Sequence, residues 1–125
     1  MKQKRSTEDY LKTIYILDAQ EGVRGAEIAK ALSVTRPTVS VALKELEQEG
    51  YVWMDAHRLV HLTAQGEAIA QDTYERNQFF KKMLIRFGVD QETAVQDACE
   101  MEHSVSSESF SAMQAALRDK LSAKR

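Results

Sequence analysis

The chain has 125 residues, 43% of them hydrophobic and 29% charged, with a formal net charge of −2. That length holds one domain of ordinary size or two small ones, and a helical part this small commonly gains stability by self-association. The longest apolar runs are only a few residues, so no membrane span is expected. The basic start with Lys2, Lys4 and Arg5 lacks the apolar stretch of a secretion signal, and one cysteine cannot close an internal disulfide. A cytoplasmic protein is the expectation. The charge balance also excludes a purely electrostatic nucleic-acid binder, leaving only local basic surface for any such contact.

Ser6 and Thr7 ahead of Glu8 and Asp9 predict a helix start with carboxylates in the first turn, where the helix dipole favours them. Tyr10, Leu11, Ile14, Tyr15 and Leu17 continue it as an apolar stripe that ends by Glu21-Gly22. Residues 25–32 predict a short second helix with Ile28, Ala29 and Leu32 inward. Ser33-Val34-Thr35 makes a turn. The third helix follows, with Thr35 as its cap and Pro37 in its first turn, where a missing N–H costs nothing. Val39, Ala42, Leu43 and Leu46 form its buried face, and Gly50 ends it.

Tyr51–Met54 and Leu59–Thr63, joined through Asp55–Arg58, read as a β-hairpin. Trp53 and Tyr51 are expected to pack the hairpin on the core, and His57 and His61 to be solvated or to touch phosphate. Thr63-Ala64-Gln65-Gly66 opens a long helix to about Arg86; its Phe79, Phe80, Met83 and Phe87 suit a dimer interface or the core beneath one. Gly88-Val89-Asp90 ends that helix. Residues 91–103 form another, and Ser106-Ser107-Glu108 starts a last one carrying Phe110, Met113, Leu117 and Leu121.

The expected fold is therefore mostly α, with a winged helix-turn-helix over residues 1–63 and an all-α domain over residues 64–125. In such a module the recognition helix enters the major groove by its N-terminal residues. Here these are Thr35, Arg36, Pro37, Thr38 and Ser40. Arg36 can donate to guanine O6 and N7 or to phosphate, and Thr38 and Ser40 to bases or phosphates. Lys44 and the wing residue Arg58 add positive charge. Double-stranded DNA is the expected partner; a winged helix used for protein contacts is the alternative.

Downstream stands Cys99-Glu100-Met101-Glu102-His103. On a helix, Cys99, Glu102 and His103 fall at i, i+3 and i+4, which stacks them on one face. Thiolate, carboxylate and imidazole make a donor set for a divalent transition metal. The competing reading is a small buried hydrophobe beside a solvated Glu-His pair.

Several strings together resemble the metal-dependent repressors of the diphtheria-toxin-repressor and manganese-transport-regulator type, in their short two-domain form. They are residues 6–15, Ile28–Val34, Pro37–Ser40, Leu62–Gly66 and Asp97–His103, and the likeness runs over nearly the whole chain. The resemblance implies a metal that bridges the opening helix to the later helix, so that operator affinity follows metal occupancy. Glu102 and His103 fall on family ligand positions unchanged. Cys99 falls where iron-responsive members have cysteine, and Asp9 where manganese-type members have aspartate.

The implied ligand set is thus Asp9, Cys99, Glu102 and His103. Lys12 stands where manganese-type members carry a second glutamate, and Asn77 where the family usually has a ligand histidine. Both argue against a two-metal cluster. Lys81 and Val95 occupy positions where the iron branch has ancillary ligands. The expected metal is Fe(II) or Mn(II), with Zn(II) also suited to the sulfur and imidazole donors. The expected function is metal-responsive repression by a homodimer on a pseudo-palindromic operator. A winged-helix regulator that has lost metal control, or senses another ligand, is the alternative. A small metallohydrolase would need a supporting base and a substrate pocket that the sequence does not show, so no enzyme is expected.

Overall fold

The computed structural model describes residues 4–18 and 21–123, apart from the side chains of 119–123. Lys2 of the basic arm and the Leu121 side chain lie outside the described residues. Six helices and one hairpin follow in the order α1 (Arg5–Leu17), α2 (Gly25–Leu32), α3 (Arg36–Gln48), β1 (Val52–Met54), β2 (Val60–Leu62), α4 (Ala64–Arg86), α5 (Gln91–Ser104) and α6 (Ser107–Ala123). The chain divides into two compact units, residues 1–74 and 75–125, and α4 contributes residues to each. No helix among the described residues is long and apolar enough to cross a membrane.

In the first unit α1 begins earlier than the hydroxyl residues suggest. Lys4 precedes it in extended conformation without a capping side chain, so Ser6 and Thr7 lie inside the first turn. Thr7, Tyr10, Leu11 and Ile14 are all buried, an i, i+3, i+4, i+7 face that reaches one turn upstream of the apolar stripe. Tertiary packing of that face outweighs the local cap. The helix also stops sooner, at Leu17.

The start of α3 follows the sequence closely. Thr35 Oγ1 accepts the Thr38 N–H at 3.3 Å, Pro37 sits in the first turn, and Val39, Leu43 and Leu46 are buried. Past its end, Gly50 turns the chain at φ 84, a left-handed conformation that a side chain would disfavour. β1 and β2 pair antiparallel with Val52 opposite Leu62, Trp53 opposite His61 and Met54 opposite Val60. Val23 extends this ladder by exchanging backbone hydrogen bonds with Val60 at 2.9 and 2.8 Å. Leu11, Ile14, Val23, Ile28, Val39, Val52 and Val60 make the centre of this core.

Trp53 departs from its expected place. Val52 points into the core, so the pleat turns Trp53 outward, and it is 49% exposed. The exit from the wing is tight. Thr63 donates its hydroxyl to the Gly50 carbonyl at 2.7 Å and its N–H to the Tyr51 carbonyl at 3.0 Å, and its oxygen accepts the Gly66 N–H at 3.1 Å. A Cβ on Gly66 would lie 2.0 Å from the Tyr51 carbonyl oxygen.

The second unit is built on Phe80, Ala98 and Phe110, with Phe79, Met83, Met101, Val105 and Met113 packed around them. The three Phe rings meet edge-on or tilted at 5.3–5.7 Å, the geometry aromatic quadrupoles favour. Phe87 is 64% exposed and takes no part in this core. Asp90 caps α5 by accepting the Thr93 N–H at 3.1 Å, and Ser106 caps α6 by accepting the Ser109 N–H at 3.1 Å. Arg76 on α4 is buried; it donates to the Val105 carbonyl and the Ser107 hydroxyl and lies 4.9 Å over the Phe110 ring.

Candidate functional site

On α5 the buried positions are Ala94, Ala98, Glu102 and His103. Ala94, Ala98 and Glu102 are spaced i, i+4 and i+8, so the stripe that would carry an apolar residue carries a carboxylate instead. Glu102 is 1% exposed and His103 5%, with His103 Nε2 3.3 Å from Glu102 Oε1. An adjacent buried carboxylate and imidazole fit the donor preferences of a divalent transition metal. Cys99 lies one turn earlier, half-buried. Its Sγ accepts a hydrogen bond from Asn77 Nδ2 at 3.6 Å, while Gln78 Nε2 donates to Asn77 Oδ1 at 3.3 Å and so orients that amide. Asp9 stands on α1 of the first unit, half-buried.

In the sequence Asn77 stands out only as the absence of a histidine. Its role toward Cys99 joins residues 22 positions apart, and no local pattern announces it.

Thr35, Arg36, Pro37, Thr38, Ser40, Lys44 and Arg58 are all exposed. The Thr35 and Thr38 hydroxyls bond each other at 2.8 Å, so the cap shares its oxygen with the first turn. Of the two wing histidines, one departs from expectation. His61 is packed rather than solvated: its Nε2 lies 2.8 Å from Asp55 Oδ2 and its ring stacks on Trp53. His57 is exposed and donates its backbone N–H to Asp55. The His61 hydrogen bond, with the Leu59 and His57 N–H groups, holds the Asp55 carboxyl below the usual carboxylate range.

Two helices, a turn, a recognition helix with an exposed polar N-terminus and a hairpin define a winged-helix DNA-binding class. Residues 3–59 match the family model of the iron dependent repressor, N-terminal DNA binding domain, and residues 63–120 that of the iron dependent repressor, metal binding and dimerisation domain. The transcriptional regulator MntR of Escherichia coli O6:H1 is 41% identical over 106 residues, 84% of this chain and 68% of that protein. The HTH-type transcriptional regulator MntR of Lysinibacillus sphaericus is 33% identical over 102 residues, 81% of this chain and 73% of that protein. The solved manganese regulator SloR superposes with a TM-score of 0.79 at 29% identity, covering 90% of this chain and 53% of that one. The chain belongs to the iron-dependent-repressor family of transcriptional regulators, with the MntR proteins among its relatives.

Proposed function

We propose that this chain is a metal-responsive repressor that reads operator DNA as a homodimer, a regulator of the cytoplasm and not a catalyst. Asp9, Cys99, Glu102 and His103 are its metal ligands, for one Fe(II) or Mn(II), with Zn(II) also accommodated. Thr35, Arg36, Pro37, Thr38, Ser40, Lys44 and Arg58 meet the duplex. Residues 1–63 form the DNA-binding part and residues 64–125 the part that dimerises and carries three of the ligands.

The observation that carries this reading is the burial of Glu102 and His103 side by side on α5. Removing an ionised carboxylate from water costs several kcal/mol without compensation. A divalent cation supplies that compensation and draws oxygen, nitrogen and sulfur donors together. Asp9 completes the set from the opening helix. The free energy of binding then favours whichever arrangement of the chain presents all four donors, and DNA affinity follows that population.

The test is an anaerobic gel shift on operator DNA with Fe(II), Mn(II) or Zn(II), before and after chelation. Cys99→Ala and His103→Ala should each weaken the metal-dependent shift while helical circular dichroism is retained. Wild-type shifts in both variants, with and without metal, would leave a winged-helix regulator without metal control.

A further inference from the structure

Asp55, just past β1, holds the tip of the wing. Its Oδ1 accepts the backbone N–H groups of His57 at 2.8 Å and Leu59 at 3.0 Å, and its Oδ2 accepts from His61 Nε2 at 2.8 Å. The His61 ring lies on Trp53, the single tryptophan of the chain, at 4.3 Å between centroids and 16° between planes. It also packs so close to Gly22 that a Cβ there would fall 2.8 Å from His61 Cε1. β1, β2 and the turn before α2 thereby hold one short loop. Within it Arg58 adopts φ 62, a left-handed conformation that costs a non-glycine residue free energy and persists where the surroundings over-determine it.

Beside that tip lies a cavity of about 370 Å³, lined by His57 and Arg58 of the wing, Arg24 and Gly25 at the start of α2, and Arg36 at the start of α3. Among the described residues no carboxylate pairs with these three guanidiniums. Glu27, in the first turn of α2, accepts the Arg24 backbone N–H at 3.3 Å. Three cations from three elements repel one another, and an anion between them relieves that repulsion. Guanidinium forks match the tetrahedral oxygens of a phosphate, and two helices begin at the wall of the cavity, where their dipoles also favour negative charge.

We propose that the Asp55–His61 clasp is a positioning device, holding Arg58 so that it closes with Arg36 and Arg24 on one backbone phosphate of bound duplex DNA. This rests on the reading of the chain as a DNA-binding regulator. Arg24 touches the phosphate; Asp55, His61 and Trp53 act through the loop they hold.

The experiment measures affinity of the full chain for a short random-sequence duplex across a salt series, with excess Mn(II) and with chelator. Backbone contacts carry no sequence information, so the random duplex reports the phosphate clamp independently of operator choice. Each neutralised phosphate contributes about −0.9 to the slope of log affinity against log salt. Arg24→Gln and Arg58→Gln should each flatten the slope by part of one contact, and the double variant by no more than about one contact, since both serve one phosphate. Asp55→Ala should flatten it as Arg58→Gln does. Asp55→Asn, which keeps an acceptor oxygen for the two N–H groups, should restore it, with Trp53 emission shifted in the alanine variant and native in the asparagine one.

A wild-type slope in Asp55→Ala despite shifted Trp53 emission overturns the clasp. Unchanged slopes in both arginine variants, or a double variant that loses two contacts, overturn the shared phosphate. A wild-type chain that binds no duplex under either condition overturns the DNA-binding reading itself.

Discussion

Replacing Gly66 by alanine sets helix propensity against packing. Position 66 lies in the first turn of α4, where alanine would be favoured over glycine by about 1 kcal/mol on propensity alone. The added Cβ, however, would stand 2.0 Å from the Tyr51 carbonyl oxygen and 2.9 Å from its carbon, against 3.4 Å for ordinary contact. Both partners are backbone, so neither can rotate away. Parting them disturbs the bonds from Thr63 to the Tyr51 and Gly50 carbonyls and the cap on Gly66 itself, each worth about 1 kcal/mol. Subtracting the propensity gain and adding an over-packing cost of about 1–3 kcal/mol leaves a net loss of about 3–5 kcal/mol. Urea unfolding followed by circular dichroism measures it, and the thermal midpoint should fall by more than about 10 °C. Gly88→Ala is the comparison, because nothing lies within 4 Å of its Cβ and only its φ of +95 opposes the change; it should cost about 1 kcal/mol. A Gly66→Ala chain as stable as wild type would refute the close approach of wing and helix.

Arg36→Ala should weaken binding to operator and to random duplex by similar factors, read by fluorescence anisotropy; a loss confined to operator would mean that Arg36 reads a base and does not serve the phosphate clamp. Asn77→His removes the amide donor from Cys99 and offers an imidazole in its place. It should tighten Mn(II) binding about tenfold or more by titration calorimetry, and no change would place residue 77 outside the ligand shell. Asp55 and Asp90 are both held below the ordinary carboxylate range, Asp90 by Thr93. A depressed folded pKa means stability that is fully present above the unfolded value of about 3.9 and lost as pH falls through the lower folded values. The Asp55→Asn, Asp90→Asn double variant should therefore show a flatter decline of unfolding free energy below about pH 4, with no added pH dependence between 5 and 7. An unchanged acid decline would show that neither carboxylate is specially held.

The elements most legible in the sequence were those whose signal is local. Thr35 with Pro37 marked the start of α3, Gly50 its end, and the polar cluster at Asp55–Arg58 the wing turn. The helix beginning at Arg5 was less legible, because the cap residues Ser6 and Thr7 compete with a buried face that only the folded core rewards. Trp53 misled for a related reason: a large aromatic suggests burial, but the pleat set by Val52 turned it outward. In α5, the spacing of Cys99, Glu102 and His103 showed one face, and the burial of Glu102 and His103 agrees with that face turning inward. What spacing could not show was the partner each side chain finds across the fold, such as Asn77 for Cys99 or Asp55 for His61. Those pairs depend on register between separate segments, which periodicity does not encode.

Arg76 gives the last helix an unusual dependence. The elbow Val105-Ser106 between α5 and α6 is short, and its course is anchored by the α4 guanidinium of Arg76, 29 positions before Val105. The direction in which α6 departs is thus set from α4 as well as by the elbow's own Ser106 cap. Loss of the Ser106 cap would loosen the first turn of α6, whereas loss of Arg76 would free the Val105 carbonyl and the Ser107 hydroxyl together, and a lysine there would keep the charge while losing the fork that grips both.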